Sequence, residues 1–471
     1  MAIMPVALWS DILIWTLFVL MLAGAVAARR SEPLRRSWRH VGRNSTAMAA
    51  ATLLAVFVAI GLLDSLHFRL RLPEQAGEAR ANYSVDLRSV LDLALVDLRT
   101  RVEKTYSEPL ATRLYSKEAM ELPDGRSVRD YPRLRYGGSH LGEREGERLA
   151  DIANRLLAAL LGATLAWLAL AALVTTGLAR QGRSTVGEAW RRLRRDETAF
   201  AWRAVLAASA AILLIAAALA ALSGAYHVFG TDKVGQDVLY LALKSVRTAL
   251  LIGLLTTLVL LPLAVTLGIL AGYFRGWVDD LIQYLYTTIS SVPGVLLIAA
   301  AVLMMQVVID GHPQWFTTSV ERADVRLLSL CLILGMTSWT GLCRLLRGET
   351  LKVSQLEFVQ AAHAVGLSHL RVLLRHILPN LMHIVLITLV MDFSQLVLAE
   401  AVLSYVGIGV DPTTISFGTM INNARMELAR EPTVWWSLTA AFAFMFALVL
   451  AANLLADAVR DAFDPRVAGS A

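Results

Sequence analysis

Nine stretches of mostly apolar residues, each about twenty to thirty long and divided by polar punctuation, constrain this sequence most, because a bilayer core of roughly 30 Å needs helices of about twenty residues or more. They cover approximately residues 6–28, 47–64, 155–178, 204–224, 242–272, 280–308, 327–346, 383–405 and 436–459. The chain is 56% hydrophobic and 17% charged, where soluble chains carry about 25% charge to cover a wet surface. The expected fold class is an all-α membrane protein with about nine transmembrane helices. Disordered, coiled-coil and collagen-like classes are excluded by the same composition.

The net charge of +6 comes mainly from arginine, and its placement decides what it means. Arg29, Arg30, Arg35, Arg36, Arg39 and Arg43 separate the first two runs, and Arg180, Arg183, Arg191, Arg192, Arg194, Arg195 and Arg203 separate the third and fourth. Short loops rich in Lys and Arg stay cytoplasmic. The N-terminus is therefore expected outside, the stretch 65–154 outside, the loop 347–382 inside and the C-terminus inside. The basic charge is explained by the lipid bilayer, with no nucleic-acid partner. Ala25-Val26-Ala27 resembles a cleavage site, but no Lys or Arg precedes the first run, so an uncleaved span is expected. Cys331 and Cys343 are spaced for neither zinc nor a redox pair and read as small buried residues.

Between the second and third runs, residues 65–154 carry charges of both signs. Val85, Val90, Leu91, Ala94, Leu95, Leu98 and Val102 recur at helical spacing there, which predicts one amphipathic helix. Pro109, Pro123-Asp124-Gly125, Pro132 and Gly137-Gly138 then break the chain into turns. The expected organisation is 1–64, two N-terminal spans; 65–154, a small external domain; 155–203, a third span and basic loop; and 204–466, a six-span core. Pro262 and Pro293 are expected to interrupt their spans and shape the bundle. Asp392 and Glu400, ionisable and inside a span, are candidates to line a path, as intramembrane charges are costly. Asp457 lies near a span end. His369, His376 and His383 recur every seven residues, but Pro379 is expected to break the helix between the last two, so no metal site is assigned.

Residues 356–380 are too long and too patterned for a turn. Phe358, Ala361, Ala362 and Val365 are expected to form one apolar helical face, Gly366 a sharp reorientation, and Leu370, Leu373, Leu374 and Ile377 a second helix ending against Pro379. From pattern alone, a knob docking in another protein's groove and a helix lying on lipid are both open. Gln360-Ala361-Ala362, then Gly366, then Leu378-Pro379 resemble the EAA motif of ABC importer permeases. Gln360 stands where the family usually has Glu, and Glu357 upstream is the candidate for that carboxylate.

The resemblance extends over about 227–466 to the C-type permease of dipeptide, oligopeptide and nickel importers. Gly230-Thr231-Asp232 with Gly235 and Asp237 resemble that family's external segment, Ala271 to Asp280 its following cytoplasmic turn, and Leu398 to Gly418 its fifth core span and external re-entry. Asn453 to Asp457 and Asp464-Pro465-Arg466 resemble its C-terminus. The resemblance implies a six-helix type I importer permease core in the bacterial inner membrane, extended by three N-terminal spans. It also implies a homologous second permease, two cytoplasmic ATPase subunits and an external substrate-binding protein as partners. Glu357, Gln360, Ala361, Ala362, Gly366, Leu378 and Pro379 would form the ATPase-coupling loop.

The chain has no Gly-x-x-x-x-Gly-Lys-Ser/Thr, so it holds no ATP phosphates as a P-loop does. No catalytic residue and no cofactor of its own are expected, with ATP and Mg2+ bound by the ATPase subunits. The implied function is ATP-driven import of peptides by alternating access, a population shift between two packings. Nickel or oligosaccharide import on the same fold is an alternative. An ion-coupled secondary transporter is disfavoured because no paired broken helices or inverted repeats stand out.

Overall fold

In a computed structural model, residues 3–30, 32–71, 83–121, 127–142, 144–316 and 318–463 are described. The turn at Pro123-Asp124-Gly125 and the Asp464-Pro465-Arg466 segment lie outside them. Along the chain come β1 (Ile3–Val6), α1 (Trp9–Arg30), α2 (Glu32–Arg43), α3 (Ser45–Asp64), β2 (His67–Leu70), β3 (Arg88–Ser89), α4 (Val90–Ala94), α5 (Val96–Thr100), β4 (Glu118–Glu121) and β5 (Ser127–Asp130). Then follow α6 (Arg148–Gln181), α7 (Val186–Arg194), α8 (Trp202–Ser223), α9 (Val238–Phe274), α10 (Gly276–Ser291), α11 (Gly294–Gly311), α12 (Ser319–Ser338) and α13 (Thr340–Val353). The last are α14 (Glu357–Ala364), α15 (His369–Val372), α16 (Leu378–Tyr405), α17 (Phe417–Leu428) and α18 (Trp436–Phe463).

Among the described residues, nine helices are long and apolar enough to cross a membrane. The protein is an all-α membrane protein, its few strands confined to short pairings. Two sequence expectations about spans change. Residues 280–308 are not one helix. Val292 is extended, as a residue before proline prefers, and Pro293 caps a new helix at Gly294, so only Gly294–Gly311 qualifies as a span. Pro262, in contrast, sits inside an unbroken α9 of 37 residues, about 55 Å long at 1.5 Å per residue.

The chain forms two compact units, 1–7 with 38–248 and 415–455, and 8–37 with 249–414 and 456–471. In the first, α8 packs against α3 and α6. The two arginine-rich connections meet there: Ala201 N–H donates to Gly42 O at 2.7 Å, and a Cβ at Gly42 would overlap the Phe200 ring. β1 pairs antiparallel with β2, and β2 with β3. The amphipathic helix expected over 85–102 is two short helices, α4 and α5, joined at Leu95. A capping box of Ser89 and Asp92 starts α4, Leu91 and Leu98 are buried, and Val85 stays exposed. Residues 112–121 pair back with 127–134, with Leu114 N–H donating to Pro132 O and Leu134 N–H to Thr112 O, continued by the β4–β5 ladder.

The second unit is built on close helix contact. Gly268 and Gly272, one turn apart on α9, face α13 so closely that a Cβ would lie 2.8 Å from Cys343 O and 2.7 Å from Arg347 O. Small residues at this spacing let backbones approach where lipid supplies no hydrophobic drive. Leu260, Ala264, Ile269, Leu342, Cys343, Leu346 and Leu381 fill the core around them. Cys331 and Cys343 are buried free thiols.

Candidate functional site

Two places carry the residues singled out by sequence, one in each unit. In the second unit, α14 begins at Glu357, whose carboxylate suits the positive end of a helix. Its apolar positions divide between two faces. Val359 and Ala362 are buried in the core with Leu346, Val372 and Ile377, while Phe358, Ala361 and Val365 are exposed. The single face expected from Phe358, Ala361, Ala362 and Val365 is therefore corrected. A helix apolar on two sides does not announce which stripe turns inward. The outward stripe continues through exposed Leu370 and Leu374, bordered by exposed Arg371 and Arg375.

Gly366 has φ +81. Its N–H donates to His363 O and the Leu367 N–H to Ala362 O, the paired bonds of a Schellman ending, which puts a left-handed residue at this position and so favours glycine. Gln360 turns its side chain back, donating from Nε2 to Gln355 O at 3.1 Å, and Glu357 is exposed beside it. Pro379 does not end the second helix. A π-type turn over Leu373–Ile377, closed by Leu378 N–H to Leu373 O, leads straight into α16, with Pro379 in its first turn where a missing N–H costs least. The helical course thus runs from His369 to Tyr405, so no break at Pro379 separates His376 from His383. Among the described residues no group of metal-ligating side chains is assembled.

In the first unit, Gly230, Thr231, Asp232, Gly235 and Asp237 form a closed turn rather than an open surface. Asp232 accepts the N–H groups of Val234 and Gln236, and Asp237 accepts that of Leu239 at 2.8 Å to start α9. Gly230 and Gly235 have φ +70 and +76. A Cβ on Gly230 would overlap Ser107 O and one on Gly235 the Glu103 backbone. The motif is the seat on which residues 103–107 lie: Glu103 N–H donates to Gly235 O, Thr231 N–H to Ser107 O, and Ser107 N–H to Thr231 Oγ1. Trp436 closes the far side, donating Nε1–H to Thr231 O at 3.0 Å.

Sequence reasoning missed the centre of this seat. His227 lies 2.8 Å from Asp237 Oδ2 through Nδ1 and 3.3 Å from Glu103 Oε1 through Nε2, all three side chains buried. Glu103 also accepts the N–H groups of Arg135, Tyr136 and Gly137. Burial opposes the imidazolium, but the hydrogen bonds and charges of Asp237 and Glu103 outweigh it and raise His227 from 6.5 to about 9. Burial likewise opposes the Glu103 carboxylate, and His227 with the three backbone donors outweighs it, holding that group below its ordinary 4.5.

The signs fix a pH window. A raised histidine contributes fully below 6.5 and loses its contribution as pH climbs through about 9. A depressed carboxylate contributes above 4.5 and loses its share as pH falls through its lowered value. Resistance of residues 101–142 to a broad-specificity protease is therefore expected to be greatest between 4.5 and 6.5 and to fall toward pH 9. A flat profile from pH 6 to 9.5 would contradict the assignment.

Of the intramembrane candidates, Asp392 is half-buried in α16, and Glu400 is buried, accepting from Ser404 Oγ at 2.6 Å. Asp457 is exposed on α18.

Comparison with known proteins adds to this geometry. The family model described as "Binding-protein-dependent transport system inner membrane component" matches residues 264–469. The oligopeptide transport system permease protein OppC of Mycobacterium tuberculosis is 29% identical over 242 residues, covering 51% of this chain and 77% of that protein. The glutathione transport system permease protein GsiD of Pectobacterium atrosepticum is 31% identical over 241 residues, covering 51% and 73%. GsiD of Escherichia coli is 31% identical over 308 residues, covering 61% of this chain and 93% of that protein.

Proposed function

The chain belongs to the binding-protein-dependent transport system inner membrane components, a family of importer permeases that work with an ATPase and a substrate-binding protein, and from that premise we propose that it carries peptides. The relatives named for oligopeptide and glutathione transport support that cargo class. In this reading two cytoplasmic ATPase subunits, which hold the ATP and Mg2+, close against the stripe of Phe358, Ala361, Val365, Leu370 and Leu374. A homologous second permease completes the path, and an external binding protein delivers the peptide. The N-terminus lies outside and the C-terminus in the cytoplasm, a topology supported by the meeting of the two arginine-rich connections at Gly42 and Ala201.

The observation that carries the reading is the outward apolar stripe that runs past a Schellman turn at Gly366. An exposed apolar stripe bordered by arginine is a surface built for a partner. Residues 103–107 lie on the seat at Gly230–Asp237, and we assign the stretch 65–154 to which they belong to docking the binding protein. Deleting about 70–150 should then abolish binding-protein-dependent uptake while the complex still assembles.

The complex reconstituted in liposomes with its binding protein should accumulate a labelled peptide only with ATP inside the ATPase compartment. Accumulation driven by an ion gradient without ATP would contradict the reading, and ATP-driven uptake of nickel or an oligosaccharide in place of peptide would reassign the cargo. Gln360→Glu gives up the bond to Gln355 O but places a carboxylate on the docking face, where the ATPase should accept it. Peptide-stimulated ATP hydrolysis is expected to stay equal or rise up to about threefold, the scale of a single exposed ion pair. A loss of stimulation would count against docking at this position.

A further inference from the structure

The C-terminal end of α9 grips the coupling segment at three points. Tyr273 Oη lies 3.1 Å from His363 Nε2 and 2.8 Å from His369 Nδ1. Its ring stacks on His363 with centroids 5.7 Å apart and meets His369 edge-on at 5.6 Å. Arg275, next but one along the chain, donates to Ser354 Oγ at 3.3 Å, just before α14 begins. His363 and His369 stand three residues on either side of Gly366, so one phenol spans the turn. A tyrosine hydroxyl donates one hydrogen bond and accepts others, which lets it bridge two imidazoles: it donates to the bare nitrogen of one and accepts the N–H of the other.

We propose that Tyr273 is a positioning residue for energy coupling, fastening the Gly366 turn to α9 so that displacement of α14 by the ATPase is delivered to that membrane-spanning helix. The inference rests on the importer reading above. Without the bridge, α14 is anchored by Val359 and Ala362 through apolar contact, which resists separation but permits sliding, because it has no direction. Two hydrogen bonds from one oxygen to both flanks of the turn fix its position and orientation. The hydroxyl's partners, His363 and His369, are not members of the stripe of Phe358, Ala361 and Val365, so it serves transmission and not docking.

The test uses the complete complex with its binding protein in liposomes, reading peptide uptake and ATP hydrolysis in the same sample. Tyr273→Phe keeps the ring and removes both bonds. The expected result is unchanged recovery of ATPase subunits, hydrolysis within about twofold of wild type, and at least a fivefold fall in peptide imported per ATP, the lower end of what one to two kcal/mol of lost coupling gives. His363→Gln with His369→Asn places amide nitrogen and oxygen near the original ring positions and should retain most of the wild-type ratio. An unchanged ratio in Tyr273→Phe overturns the proposal, as does loss of the ATPase subunits from that variant. If the amide pair falls as far as Tyr273→Phe, hydrogen-bonding groups restored at both positions do not recover coupling, and the proposal also fails. Should Tyr273→Phe fail to accumulate in the membrane, His363→Ala with His369→Ala removes the same bonds from the other side and is read the same way. A wild-type complex without ATP-driven uptake would instead sink the importer reading, which keeps the two failures distinct.

Discussion

Replacing Gly366 with valine is expected to cut ATP-driven peptide uptake about tenfold, within the 5- to 30-fold range that one or two kcal/mol spans, while the protein accumulates in the membrane at its normal level. The backbone there has φ +81, where an L-residue costs roughly 1–2 kcal/mol and a β-branched one is a true outlier. A Cβ at this position would meet nothing within 4 Å, so the cost is local strain and not a clash with the core. The turn relieves it by giving up the bonds from Gly366 to His363 and from Leu367 to Ala362, and α14 shifts off its docking position. Gly366→Asn should recover most of the activity, since Asn tolerates the left-handed region. Uptake assays paired with membrane-fraction immunoblots check both halves. Normal uptake with valine would mean that the turn's geometry does not matter for coupling.

His227→Leu is expected to release the external segment from its seat. It leaves the Glu103 and Asp237 carboxylates, both almost wholly buried, without their shared cation. Removing one partner from a buried charge group costs about 3–5 kcal/mol, comparable to the stability of a small local unit. Hydrogen exchange at the amides of residues 101–142 should accelerate on the order of 100-fold or more, since each 1.4 kcal/mol is tenfold. Acidification should slow it again, because a protonated carboxyl no longer needs the cation. Wild-type protection in the variant at neutral pH would show that the cluster does not hold this segment.

Much of the fold was legible because the bilayer sets the length of every spanning helix, and apolar runs of that length survive in the sequence without any knowledge of packing. Pro262 and Pro293 were not separable by residue type. The difference lies in the surroundings: Pro293 follows Ser290-Ser291-Val292 and precedes Gly294, a turn-forming run, whereas Pro262 sits among leucines, and Thr266 Oγ1 bonds to its carbonyl. In the segment 356–380, the left-handed Gly366 was legible from its position after an amphipathic stretch. The inward choice of Val359 over Phe358 was not, because it depends on packing within a core shared with α9, which lies far along the chain. The π-type turn that carries the helix past Pro379 also left no mark in local pattern.

The seat at Gly230–Asp237 was legible as a motif and illegible as a structure. Its glycines are demanded by the backbone of Glu103 and Ser107, more than 120 residues earlier, and no periodicity over 101–137 points to that contact. His227, ten residues before Asp237, offered only a faint signal. A histidine beside a left-handed glycine turn belongs to many structures, and only the arrival of Glu103 makes this one a buried clamp.

The central claim is that this permease works through partners it recognises at the stripe of Phe358, Ala361 and Val365. The most direct measurement is to purify the tagged chain from its native membrane in mild detergent and identify what accompanies it by mass spectrometry, alongside a Phe358→Asp, Val365→Asp variant. The account predicts a second permease and ATPase subunits with the wild-type chain, and loss of the ATPase subunits alone with the variant. Recovery of ATPase subunits in equal amount with both chains, or of none with either, would contradict it.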